Sequence, residues 1–67
     1  MAMIEIEERE KREKRGNSEI TVKVRRLFLF GTLVGEINPE QFRHLISRGH
    51  WRTWEENGAK IYGRDGQ

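Results

Sequence analysis

A chain of 67 residues has room for one small core, and with no cysteine it has neither disulfides nor thiolate metal sites to staple that core. Charged residues make up 36% of it and no apolar run approaches the ~18 residues of a membrane-spanning helix, so most of the chain is built to face water. Small scaffolds of this kind often borrow stability from a partner or a second copy, which makes a homodimer or higher oligomer an expectation. With no membrane span and no signal-type apolar segment, the default location is the cytoplasm.

The formal charge of +2 and an isoelectric point near 9.4 suggest a nucleic-acid binder until the charges are mapped. Residues 1–15 hold Glu5, Glu7, Glu8, Glu10 and Glu13 against Arg9, Lys11, Arg12, Lys14 and Arg15, which cancel. So small a net charge attracts a phosphate backbone weakly, and local clustering has to supply any affinity.

Residues 1–18 form a charged arm with two readings. As a helix, Glu5–Arg9, Glu7–Lys11, Glu8–Arg12 and Glu10–Lys14 are i,i+4 pairs with the acid N-terminal, the favourable order. As a strand, Ile4 and Ile6 alternate with Glu5 and Glu7, and Gly16-Asn17-Ser18 turns the chain back toward Glu19. A mixed state is expected: Met3 to Glu7 extended or loosely attached, Glu8 to Arg15 solvated.

From Glu19 the pattern is β. Ile20, Val22 and Val24 alternate with polar residues; then Leu27 to Phe30 are apolar on both parities, which predicts a bulge near Arg25-Arg26 or cover on both faces. Gly31-Thr32 fits a type II′ turn, pairing Phe30 with Leu33 and Leu29 with Val34. That register leaves Leu27, Leu29 and Val34 together on a face that one helix cannot also cover, the place for a protein interface.

Asn38 as N-cap, Pro39 at N1 and Gln41 at N3 start a helix expected over Pro39 to Arg48, with Phe42, Leu45 and Ile46 as its apolar stripe. Gly49 ends it. His50 to Glu55 and Ala59 to Tyr62 then flank Asn57-Gly58, a strong type I′ hairpin signal. Together these predict an α+β domain over residues 19–63. It is a small antiparallel sheet of about four strands with one short helix in ββαββ order, followed by a polar tail at 64–67.

Catalysis has little support. Phosphate-cradling, zinc-protease and serine-hydrolase motifs are missing, and neither Ser18 nor Ser47 has the surroundings of an activated nucleophile. Neither a metal nor a cofactor is expected, since His44 and His50 match no ligand spacing. The constellation that remains is cationic and aromatic: Arg43, Arg48, Arg52 and Lys60 as phosphate contacts, Trp54 as a stacking platform, and Arg25 and Arg26 as a secondary contact. The leading expectation is a basic, non-enzymatic module that contacts nucleic acid. The alternative is a phage-like accessory or inhibitor-type protein, or an assembly protein, that works through its apolar sheet face.

Overall fold

The charged segment that opens the chain is the central strand of the sheet. In the computed structural model, which describes residues 3–65, the elements are β1 (Ile4–Arg15), β2 (Ser18–Leu29), β3 (Thr32–Ile37), α1 (Pro39–Ile46), β4 (Arg52–Glu56) and β5 (Ala59–Arg64). The five strands make one antiparallel sheet ordered β3-β2-β1-β5-β4. The α+β class and helix position match expectation, but there are five strands rather than four. The outermost residues of the arm and tail, 1–2 and 66–67, lie outside the described residues.

So charged a segment can be a central strand because its charges are answered sideways. Across β1 and β2, Glu7 lies opposite Arg26, Glu8 opposite Arg25, Glu10 opposite Lys23 and Lys14 opposite Glu19. Opposite charges facing each other on antiparallel strands stabilise the pair by ~0.2–1 kcal/mol. Half of the acids and bases that suggest i,i+4 helix pairs, Glu7, Glu8, Glu10 and Lys14, thus find partners in the neighbouring strand instead, while Glu5, Arg9, Lys11 and Arg12 face uncharged residues. Gly16-Asn17 turns the hairpin, with Gly16 at φ 61° and Arg15 paired with Ser18.

Helix α1 covers one end of one sheet face. Ile6 on that face is fully buried, with Leu27 and Tyr62 as its cross-strand partners. From above, Phe42 meets Tyr62 edge-on at 5.1 Å, and the Arg25 guanidinium lies 4.1 Å from the Phe42 ring centre. Arg25 Nε donates to Glu8 Oε2 at 2.8 Å, and the Tyr62 hydroxyl contacts Glu8 Oε1 at 3.4 Å. A charged pair under the helix is held by hydrogen bonds and an aromatic lid, which is what burial of charge requires.

The helix is pinned at both ends. Asn38 Oδ1 accepts from the Gln41 backbone N–H at 2.7 Å, and the Asn38 N–H donates to Gln41 Oε1 at 3.0 Å, a complete capping box. At the other end the indole N–H of Trp51 donates to the Leu45 and Arg48 carbonyls, and Arg64 Nη1 donates to the Arg48 carbonyl at 2.8 Å. Regular helix stops at Ile46, two residues short of expectation, and these side chains take over the orphan carbonyls. Gly49 is required here: its φ is +79° and a Cβ would lie 2.7 Å from the Arg64 guanidinium.

The β2–β3 register differs from expectation by one residue. Leu29 pairs with Thr32 and Phe28 with Leu33, so the turn is Phe30-Gly31, with φ of 51° and 79°. Both central residues are left-handed, as a type I′ turn demands. The ladder shifts between Leu27 and Phe28, where Leu27 pairs with Gly35 and leaves Val34 as the extra residue. The bulge therefore sits in β3, not at Arg25-Arg26.

The molecule is long for its size. Its extents are 46 × 24 × 19 Å and its radius of gyration is 13.2 Å, against about 11 Å expected for a compact chain of this length. The excess comes from the β1–β2 hairpin. β5 pairs with β1 only over Ile4–Glu8 and β3 with β2 only over Arg25–Leu29, so the hairpin from Arg9 to Val24 projects as a two-stranded ribbon.

Candidate functional site

Strand register decides which expected contact residues meet. Arg52 and Trp54 of β4 lie opposite Gly63 and Ile61, on the sheet face without the helix, and Arg26 shares that face opposite Glu7. Arg25 and Lys60 flank Glu8 on the helix face, and Arg43 and Arg48 are exposed on the helix and just past its end. The expected cationic–aromatic patch is therefore divided between two faces.

Several of its members are also committed inside the chain. Arg25 is mostly buried against Glu8 and Phe42. Arg26 grips Glu7 Oε1 through both Nε (3.0 Å) and Nη2. Arg9 adds a second contact to Glu7, with its Nε at 3.4 Å from Oε1. The Arg26 hydrogen bond, assisted by Arg9, holds the Glu7 carboxyl below the usual glutamate range despite partial burial. Trp54 is half-buried opposite Ile61, its indole N–H 3.3 Å from Glu56 Oε2, so it is part of the wall rather than a free platform.

The predicted apolar trio is divided too. Leu27 lies on the helix face and lines an open groove of about 820 Å³ with Ile37, Gln41, His44 and Leu45. Leu29 lies on the same face but beyond the helix, 38% exposed, and Val34 is the bulge residue.

What the fold does bring to one end of the sheet is a set of exposed apolar residues, spread over both faces around one turn. The exposed large hydrophobic residues among those described are Met3, Leu29, Phe30, Leu33 and Val34. All sit around the β2–β3 turn: the Phe30 N–H donates to the Met3 carbonyl at 2.8 Å, and Leu29 pairs with both Ile4 and Thr32. Phe30 stands out. It is 69% exposed and takes a left-handed conformation that costs a side-chain-bearing residue roughly 1–2 kcal/mol. Neither property helps the fold, and strain retained on an exposed aromatic is characteristic of contact sites. The sequence signal for this was Leu-Phe-Leu-Phe-Gly; reading the turn as Gly31-Thr32 placed Phe30 in a strand and hid its position at the tip.

The two sheet edges also differ. β4 reads Arg-Thr-Trp-Glu-Glu, with charges that discourage pairing, whereas β3 reads Thr-Leu-Val-Gly-Glu-Ile and joins the apolar end. No group of three metal-binding side chains converges among the described residues. No helix is long and apolar enough to cross a membrane.

Neither a protein-family model nor a curated protein nor a solved structure matches this chain.

Proposed function

We propose that this chain is a non-enzymatic protein-interaction module that docks on a larger partner chain through the apolar end of its sheet. The observation that carries the reading is Phe30, an exposed aromatic at positive φ in the β2–β3 turn, at the same end of the sheet as exposed Met3, Leu29, Leu33 and Val34. Aromatic anchors surrounded by aliphatic contacts are what dominate protein interfaces. The neighbouring β3 edge offers backbone groups to an added strand, a second mode of grip on the same side of the molecule. A nucleic-acid surface has less support, because the cations proposed for it are divided between faces and three of them, Arg25, Arg26 and Arg52, are ion-paired.

The test is retention of a partner by immobilised wild type compared with a Phe30→Asn, Leu33→Asp double variant. Loss of the retained protein with an unchanged circular dichroism spectrum supports the reading. Equal retention by both, or a salt-sensitive shift on a short DNA duplex that the variant also shows, would overturn it.

A further inference from the structure

The projecting ribbon is two-faced in a way the rest of the chain does not use. Its helix-side face is wholly polar: Glu10, Arg12 and Lys14 beside Lys23, Thr21 and Glu19. The opposite face carries one apolar row, Ile20, Val22 and Val24 on β2, beside one charged row, Arg9, Lys11, Glu13 and Arg15 on β1. Helix α1 lies on the other face and the other strands pair toward the other end, so no described element packs over this apolar row, whose three side chains are half-buried within the ribbon itself. A two-stranded ribbon is marginal in water by itself and gains stability when its apolar face is packed.

We infer that the covering surface is a second copy of the same ribbon, stacked face to face and running in the opposite direction. The charge order selects this occupant. Extended backward along the same face, the β1 row reads Glu7, Arg9, Lys11, Glu13, Arg15. A two-fold axis lying between the sheets, across the strands at Lys11 and Val22, sets Arg9 over Glu13 of the second copy and Glu7 over its Arg15, contacts that would share Arg9 and Glu7 with their bonds to Asn57, Arg26 and each other within the chain. The same axis sets Val22 over Val22 and Val24 over Ile20, apolar row on apolar row. Only Lys11 meets its own kind. Moving the axis by half a repeat to lie between Lys11 and Glu13 sets Lys11 over Glu13 twice but also Arg9 over Arg15 twice, which cancel, and turning it to run along the strands lays the apolar row on the charged one. The row is thus self-complementary in one register, as a two-fold interface requires.

Nine residues per strand at ~3.3 Å each give an overlap of roughly 25–30 Å, a small interface that forms a weak, concentration-dependent dimer. This surface is separate from the apolar end around Phe30, and either assignment can fail alone.

Light scattering and sedimentation from ~10 µM to ~1 mM test it. Wild type is expected to pass from monomer to dimer, Val22→Asp to stay monomeric, and Phe30→Asn to dimerise as wild type does. Mixed with wild type, Lys11→Glu replaces the one like-charge contact by an attractive one. Native mass spectrometry is then expected to show heterodimer in excess over the random half. A monomer throughout the range, an unaffected Val22→Asp dimer, or a random mixture would overturn the inference. Should Val22→Asp lose its sheet signal, the Lys11→Glu mixture decides alone, because that lysine is exposed. A shift on added DNA with no dimer in its absence would assign the ribbon to nucleic acid instead.

Discussion

Phe30 separates what the fold needs from what the surface offers. Asparagine tolerates the left-handed region far better than phenylalanine, and Asn-Gly is the preferred type I′ pair. Phe30→Asn is therefore expected to raise stability by about 1 kcal/mol, or ~4–8 °C in melting temperature for a domain of this size. A thermal melt checks this directly, and a fall in melting temperature would show that the ring supports the fold. Glu7 makes the second prediction at this scale. Its folded-state pKa is depressed, chiefly by the Arg26 hydrogen bond, so the stabilisation is complete above the ordinary glutamate value. It is lost as pH falls through the lower folded value. Melting temperature is expected to drop as pH falls below the ordinary glutamate value, less steeply in Glu7→Gln, which has no such proton to take up.

Among the elements, the helix was the most legible, because its start is written in adjacent residues. Asn38, Pro39 and Gln41 act within one turn, and the capping box formed as their spacing implies. The Asn57-Gly58 hairpin was legible for the same reason: Glu56 pairs with Ala59 around it, with both turn residues at positive φ. β1 was not. Its charges fit helical spacing as well as they fit β2, and only the far strand, starting with Ser18, settles the choice. The Leu27–Phe30 run was ambiguous because consecutive apolar residues carry no period, and one residue of turn position exchanged the members of each face. Lost with that register was the expected grouping of Leu27, Leu29 and Val34, and strand parity likewise separated Arg52 and Trp54 from Lys60.

Helix attachment rests on few contacts, which makes it sensitive. Arg25 joins Glu8 of the central strand to Phe42 of α1, so Arg25→Ala removes a charged hydrogen bond and the lid's cation at once. A loss of about 2 kcal/mol is expected in urea unfolding, with Glu8 left under the helix without its charge partner. Lys23→Ala, on the exposed ribbon opposite Glu10, is expected to change stability by less than about 0.5 kcal/mol.

At the scale of the whole molecule, the sheet has a body and an extension, and the two carry different proposals. The body holds Ile6, Phe42, Ala59 and Ile61, the buried hydrophobic residues among those described, and presents the apolar end. The extension has no comparable core. If ribbons stack as inferred, the two bodies lie at opposite ends of the dimer and each presents its own Phe30. A partner with two sites within reach would then be bound with an avidity that neither end has alone.

The central place of β1 also bears on how the chain reaches this state. β1 and β2 join through a two-residue turn and β3 follows at once, so this half of the sheet assembles from neighbours in sequence. β5 closes the other side of β1 from the far end of the chain, Ile4 beside Arg64. Pairings of such long sequence separation are slow, because the intervening loop must lose its freedom before the contact forms. The three-stranded meander is thus expected to form first, with the second edge of β1 open until the C-terminal hairpin arrives. Along the part of that edge which β5 later closes, Glu5, Glu7 and Glu8 set like charges in line, which disfavours pairing with another copy during the wait.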